Sequence, residues 1–195
     1  QAGVNRISLG IQSFNDQHLQ RLGRIHTAQE SITAIETVAT HFNNFNLDII
    51  YGLPNQSINQ AMADINLALS FNSTHLSAYN LTIEPNTEFA KFVPANLPND
   101  DLCYAMQDQI INQLDKHGLQ RYETSAYAKH NRQSQHNLNY WQFGDYLGIG
   151  AGAHSKLSFH DQILRQSRHK HPQEYMKRVL INQHILENAP VKTED

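Results

Sequence analysis

The chain has 195 residues, 39% of them hydrophobic and 17% charged, enough for one domain or one and a half around a buried core. A formal charge of −3 supplies no long-range field for a nucleic-acid backbone, and no run of eighteen apolar residues offers a membrane span, although peripheral membrane contact stays open. Cys103 is the one cysteine, so neither an internal disulfide nor a thiolate cluster for zinc or iron–sulfur forms within the chain. The start at Gln1 shows no basic or apolar leader pattern, which reads as cytoplasmic. Opening on Gln1-Ala-Gly-Val4 at the edge of a strand-like run, the chain also reads as a fragment whose left side is missing.

Three alternating units occupy the first hundred residues. Val4 to Gln12 predicts a strand, followed by a helix over Thr27 to Phe42 in which Ile32, Ile35, Val38, Ala39 and Phe42 recur at helical spacing. Thr27 with Glu30 makes a capping box. Phe45 to Gly52 is the second strand; Ser57 with Gln60 caps a helix carrying Met62, Ile65, Ala68 and Leu69. The third strand runs from His75 to Glu84. Such alternation implies parallel pairing through right-handed crossovers, an α/β barrel or open sheet. Pro94 to Asp101 is a linker, and Asp100 is expected to cap a helix through Leu114 that stops at Gly118. Cys103 in that helix reads as a small buried hydrophobe. Leu119 to Ala128, Tyr146 to Leu157 and Gln162 to Arg168 read as further strands extending the sheet in antiparallel fashion, and Pro172 opens a last helix with Tyr175, Met176 and Val179.

Strands of a parallel sheet covered on both faces are usually continuous apolar runs. Here one parity is polar: Arg6, Ser8 and Gln12; Asn46 and Asp48; Asn80, Thr82 and Glu84. The other parity, with Ile7, Leu9 and Ile11, then Phe45, Leu47 and Ile49, then Tyr79, Leu81 and Ile83, suits packing against helices, with Asn5 and Ser77 breaking the pattern. A buried polar row needs partners, water or a ligand, so a lumen holding a polar small molecule is one expectation and a protein-only hydrogen-bond network is the other.

Four segments carry a family resemblance. They are Gly3-Val-Asn-Arg-Ile-Ser-Leu-Gly-Ile-Gln-Ser-Phe14 with Leu22-Gly-Arg24; Asn46-Leu-Asp-Ile-Ile-Tyr-Gly-Leu-Pro54; His75-Leu-Ser-Ala-Tyr-Asn-Leu-Thr-Ile-Glu-Pro85; and His136-Asn-Leu-Asn-Tyr-Trp141 with Gly148-Ile-Gly-Ala-Gly-Ala-His154. In this order they resemble the radical S-adenosylmethionine (SAM) proteins related to oxygen-independent coproporphyrinogen III oxidase, on the heme-chaperone branch. The resemblance implies an α/β fold, the second half of a partial (β/α)6 TIM-like barrel, over residues 1–93. A family-specific mixed α/β extension, truncated at its C-terminal end, covers 94–195. It also implies SAM and a 4Fe-4S cluster in the lumen, with Gln12, Arg24 and Asp48 at SAM-contacting positions. A guanidinium suits the methionyl carboxylate, while an amide and a carboxylate suit ribose hydroxyls or the ammonium group. The cluster cysteines, the glycine-rich loop and the acidic residue of the third strand would precede Gln1, so this piece alone is expected not to cleave SAM. Without the missing half of the barrel, the first strand is expected to be an exposed edge and the fold marginally stable.

By the same resemblance His136, Tyr140 and Trp141 are heme-binding positions, with His154 a second candidate ligand after a turn where Gly148, Gly150 and Gly152 permit close approach. Imidazole is a proper axial ligand and the aromatics offer flat surface for the macrocycle. A structural role for this motif stays open. No catalytic residue is assigned. The function implied for the intact protein is heme binding and delivery to an acceptor protein. Two alternatives remain: a radical coproporphyrinogen III oxidase sharing the SAM site, and an ordinary barrel enzyme using acid–base residues such as Asp48 and Glu84.

Overall fold

The computed structural model describes residues 3–181 and the backbone of Val191–Lys192. The first strand, β1 (Ile7–Gln12), leads into a short helix, α1 (Asp16–Arg21), started by Asn15, whose Oδ1 accepts from the backbone N–H of Gln17 and His18. The next helix, α2 (Ala28–His41), opens on the expected capping box: Glu30 N–H donates to Thr27 Oγ1 and Thr27 N–H donates to Glu30 Oε2. After β2 (Phe45–Tyr51), α3 (Ile58–Ser70) opens on the second box, Ser57 with Gln60. The third strand, β3 (His75–Asn80), is followed by a single turn, α4 (Glu88–Lys91), and by α5 (Asp100–Lys116). Asn99, not Asp100, caps α5, because it is Asn99 Oδ1 that accepts from Leu102 N–H.

Strands β1, β2 and β3 pair in parallel, β5 (Ala126–Ala128) adds antiparallel to β3, and β4 (Gln120–Arg121) pairs with β5, giving the order β1-β2-β3-β5-β4. The stretch expected as one strand from Leu119 to Ala128 is thus a short hairpin. Ile11, Leu47, Ile49, Leu76 and Tyr127 from the sheet meet Ile35 of α2, Ile65 of α3 and Met106, Ile110 and Leu114 of α5 in one buried core. Removing such side chains from water supplies most of the driving force for this arrangement, roughly 1.5–3 kcal/mol for each large aliphatic. Cys103 on α5 is half-buried, with its thiol pushed up in pKa by burial and then by the Asp100 charge, which leaves it without thiolate character.

Compact packing divides the chain into Gln1–Gln133 and Ser134–Asp195. Residue 93, the expected boundary, lies inside the first unit because α5 packs on α3 and β5 continues the sheet beside β3. The second unit holds α6 (Gln135–Trp141), an antiparallel sheet of β6 (His154–Ser158), β7 (Ile163–Ser167) and β8 (Val191–Lys192), and α7 (Pro172–Leu180). Of the strand expected from Tyr146 to Leu157, only an isolated bridge from Tyr146 to Lys156 and β6 itself form. The strands of the second unit make a separate sheet and do not extend the first, contrary to expectation. Among the described residues no helix is long and apolar enough to cross a membrane.

The alternation in the first two strands sorts their side chains as the sequence indicates, but the third strand does so with the opposite parity. Asp48 lies in register with Ser77, and Tyr51 with Asn80. His75 and Ser77 therefore share the Asp48 face. Asn80 belongs to the helix-covered face, where its Oδ1 lies against the space a side chain on Gly52 would need, beside Cys103. Thr82 and Glu84 lie past the end of β3 and form no row with Asp48.

Candidate functional site

The polar face of the first sheet is organised by Asn46. Its Oδ1 accepts from Ser77 Oγ at 3.1 Å and lies 2.6 Å from His75 Nδ1; its Nδ2 donates to Ser8 Oγ at 2.7 Å and to Asp48 Oδ1 at 2.8 Å. A carbonyl oxygen can only accept, so His75 Nδ1 carries the proton and Nε2 is left to accept from the Tyr122 hydroxyl at 2.7 Å. Burial, and then the Arg6 charge, push the His75 pKa down to about 3, so the ring is neutral. The hydrogens consequently run one way, from Tyr122 through His75 and Asn46 to Asp48. Ser8 Oγ donates to Asp48 Oδ2 at 2.9 Å as a second arm. Buried polar atoms here are satisfied by one another, except that Arg6 Nε is buried without a partner among the described residues.

Gln12 ends β1 at a register slip between Gly10 and Gln12, with φ at 69° in the left-handed region. For a residue with a Cβ this conformation costs about 1–3 kcal/mol and persists only where surroundings impose it. Its side chain turns back over Gly10, whose Cβ, if present, would lie 2.7 Å from Gln12 Nε2. Since Gly10 is in register with Asp48, the Gln12 amide and the Asp48 carboxylate share one face. The next two residues are held from α3: Asp64 Oδ2 accepts from Ser13 Oγ at 2.7 Å and Oδ1 from Phe14 N–H at 2.8 Å. Burial pushes the Asp64 pKa up while those two hydrogen bonds oppose the shift.

Arg24 lies on an exposed loop after α1, its N–H donating to Leu19 O at 2.9 Å. His26 Nε2 lies 3.2 Å from Ile11 O, which ties this loop to the end of β1 next to Gln12. Among the described residues the Arg24 guanidinium has no ion-pair partner. The Gln12 amide and the Asp48 carboxylate beside the Gly10 gap suit a ligand that carries hydroxyl or ammonium donors. Leu9, Gly10 and Ile11 of β1 with Ser31 and Ala34 of α2 line an open groove of about 420 Å³ whose lining includes none of Gln12, Arg24 and Asp48.

In the second unit α6 carries the His136 to Trp141 motif, with Ser134 as its cap. His136 and Tyr140, one helical turn apart, meet edge to face at 4.8 Å between ring centres, and Tyr140 lies 4.7 Å from Tyr146. Trp141, Phe143, Leu147 and Ile149 are all more than half exposed, at 64%, 58%, 63% and 82%. His154 stands exposed at the start of β6. Gly148 is there for packing: a Cβ on it would collide with the backbone of His154. The glycine-rich turn thus accommodates its own strand. Sequence reasoning missed the anchor of this loop, Lys156. Its buried Nζ donates to Phe143 O at 2.9 Å, Asp145 Oδ1 at 3.1 Å and Ser158 Oγ at 3.0 Å, and sits 3.8 Å above the Phe143 ring. The Ser158 N–H, the Ser158 hydroxyl and Lys156 hold the Asp145 carboxyl down to about 2. A lysine two residues into a strand carried no sequence signal beyond its flanking apolar pattern.

Comparison with known proteins adds the following. The Radical SAM superfamily matches residues 1–68. The chain is 51% identical over 178 residues to the "Heme chaperone HemW" of Haemophilus influenzae, covering 90% of this chain and 46% of that protein. It is also 51% identical to the "Heme chaperone HemW" of Escherichia coli, with 90% and 47% covered. The Bacillus subtilis "Heme chaperone HemW" is 38% identical, with 80% and 42% covered. The chain spans about half the length of the curated relatives it matches. Among solved structures, the coproporphyrinogen III oxidase HemN of Escherichia coli, described as a radical SAM enzyme, superimposes with a TM-score of 0.78 at 22% identity. That match covers 98% of this chain and 46% of that one, and it shows a shared mixed α/β fold. Over 90% of its length the chain is thus similar to the HemW heme chaperones, and over residues 1–68 it matches the Radical SAM superfamily.

Proposed function

We propose that the protein binds heme and hands it to an acceptor protein, with SAM and a 4Fe-4S cluster bound in its full-length form, in the cytoplasm. The observation that carries the reading is α6: an imidazole braced edge-on by Tyr140, next to an exposed Trp141, on a loop that a buried lysine anchors. His136 supplies an axial nitrogen, Tyr140 and Trp141 supply flat apolar surface, and His154 is a second candidate nitrogen. Exposed aromatic surface at a rigid loop suits a cargo that must be released as well as held.

The first unit supplies the SAM reading, as the second half of a (β/α)6 barrel whose lumen face is the polar row, with the family-specific segment beginning at residue 94. Gln12 and Asp48 would receive donors from the ribose or ammonium group, and Arg24 would meet the methionyl carboxylate. Cys103, half-buried on α5, is the chain's one cysteine, so cluster ligands would come from other residues of the full-length protein. The cluster, when bound, supplies an electron to SAM; this chain's residues orient the nucleoside and its tail.

Heme titration of the full-length protein should give a Soret shift. His136→Ala and Trp141→Ala should each weaken it about tenfold, roughly 1.4 kcal/mol of lost contact. Unchanged affinity in both variants would defeat the heme-site assignment. Arg24→Ala should weaken SAM binding by a similar factor, and equal affinity would remove Arg24 from the site. Loss of coproporphyrinogen III in an anaerobic assay would favour an oxidase over a chaperone, with the SAM site unchanged.

A further inference from the structure

We propose that Asp64 is a positioning residue for Gln12: a buried carboxylate on α3 that locks the two residues following Gln12 and so holds its amide beside Asp48. The proposal rests on the reading of Gln12 as a SAM contact. Gln12 occupies a backbone conformation that a residue with a side chain adopts only under constraint. The constraint lies immediately downstream. Ser13 is fully buried, Asp64 is 4% exposed, and the carboxylate takes both the Ser13 hydroxyl and the Phe14 N–H. Ser13 Oγ in turn accepts from Asn15 N–H at 3.1 Å, which fixes the turn that follows β1.

Asp64 itself cannot shift easily. Its neighbour Ile65 is wholly buried in the core, and α3 is fixed at its start by the Ser57–Gln60 box. A buried carboxylate is a costly way to anchor a loop, since a neutral side chain could accept one of these bonds. It accepts two at once, from consecutive residues, which a neutral amide with a single carbonyl oxygen cannot do in the same geometry. The gain is a fixed exit direction for β1. With residues 13 and 14 released, Gln12 relaxes toward ordinary extended backbone, the register slip at Gly10 is lost, and its amide leaves the Asp48 face.

A double-mutant cycle on SAM affinity tests this, using the full-length, cluster-loaded protein and equilibrium dialysis with labelled SAM under anaerobic conditions. Gln12→Ala should weaken SAM about tenfold and Asp64→Asn about fivefold. The double variant should bind no more weakly than Gln12→Ala alone, because Asp64 acts only through Gln12. The fall in Tm caused by Asp64→Asn should be the same in both backgrounds, which a purely structural role also gives; the loss of affinity on top of Gln12→Ala is what such a role would not abolish. Effects on affinity that multiply in the double variant overturn the proposal, as does unchanged affinity in Asp64→Asn alongside a weakened Gln12→Ala. Should Gln12→Ala bind SAM normally, the reading of Gln12 fails, and the proposal fails with it for that separate reason. If Asp64→Asn does not fold, Ser13→Ala removes one of the two bonds and is read against the same outcomes.

Discussion

Acidification should destabilise the first unit through His75 more than through any other residue of the polar row. The ring titrates at its ordinary 6.5 in the unfolded chain and at about 3 in the fold, where burial excludes the charged form. Between those values the unfolded state binds the proton and the native state does not, so stability is fully present above pH 6.5 and falls as pH is lowered toward 3. At pH 5 the loss is 1.5 pH units, or about 2 kcal/mol, a large share of the stability of an ordinary domain. The variant His75→Gln keeps a neutral group able to donate to Asn46 and accept from Tyr122 but cannot titrate. Urea unfolding of both proteins at pH 7 and pH 5, followed by circular dichroism, should show about 2 kcal/mol less acid loss in the variant. His18, whose pKa is lowered by burial and then by Arg21, and Asp64, whose pKa is raised, titrate alike in both proteins and cancel in the difference. Equal acid loss in the two proteins would refute the neutral, buried His75.

Leu47→Ala should cost about 2–5 kcal/mol in urea unfolding, because the side chain lies between strands and helices with no exposure and leaves a cavity. Thr27→Ala removes the acceptor for Glu30 N–H and should cost about 1 kcal/mol, read as a lower Tm. Lys156→Met should loosen the loop that carries Trp141, costing about 1–3 kcal/mol through the unpaired Phe143 carbonyl, and should raise hydrogen exchange at residues 143–147. Asp145, held below its ordinary 3.8, contributes stability that is present above that pH and lost as pH falls toward 2. Acid titration of wild type followed by Trp141 fluorescence should show that step, and Lys156→Met should bring it to higher pH.

How much of this was legible depended on whether the controlling interaction was local. Both capping boxes join residues three apart, and both stand in the structure as the sequence spells them. The apolar rows of β1 and β2 were legible for the same reason, since alternation is a property of one strand. The parity of β3 was not. Tyr79, Leu81 and Ile83 look like a buried row, but pairing is set by register with β2, which puts Ser77 beside Asp48, and β3 ends at Asn80 before the apolar run continues. Gln12 and Asp48 were named from the family resemblance. His75, Tyr122 and Asp64 were missed because their roles come from contacts 29, 47 and 51 residues away in the chain.

The direction of the hydrogen bonds says which side of the polar row a ligand must meet. His75 and Asn46 are almost fully buried, at 1% and 2% exposure, whereas Ser8 at the sheet edge is exposed, so the row is closed on the β3 side and open on the β1 side. On the closed side the hydrogens run through Asn46 to Asp48, which accepts once from Asn46 and once from Ser8 on the open side and keeps about half of its lone-pair capacity free. A ligand at Asp48 must therefore bring donors. An anionic group would be repelled there, and on the reading proposed above it would meet Arg24, on the loop tied to Ile11. If Asp48 and Arg24 serve one ligand, as proposed, it carries donors at one side and an anion at the other, and an Asp48→Asn substitution should discriminate between them. It exchanges one acceptor for a donor, so it should weaken the hydroxyl- or ammonium-bearing end while leaving the Arg24 contact intact. SAM affinity that falls with Asp48→Asn and falls further with Arg24→Ala would support two separate contacts. Loss complete in either single variant would mean that the two residues act as one.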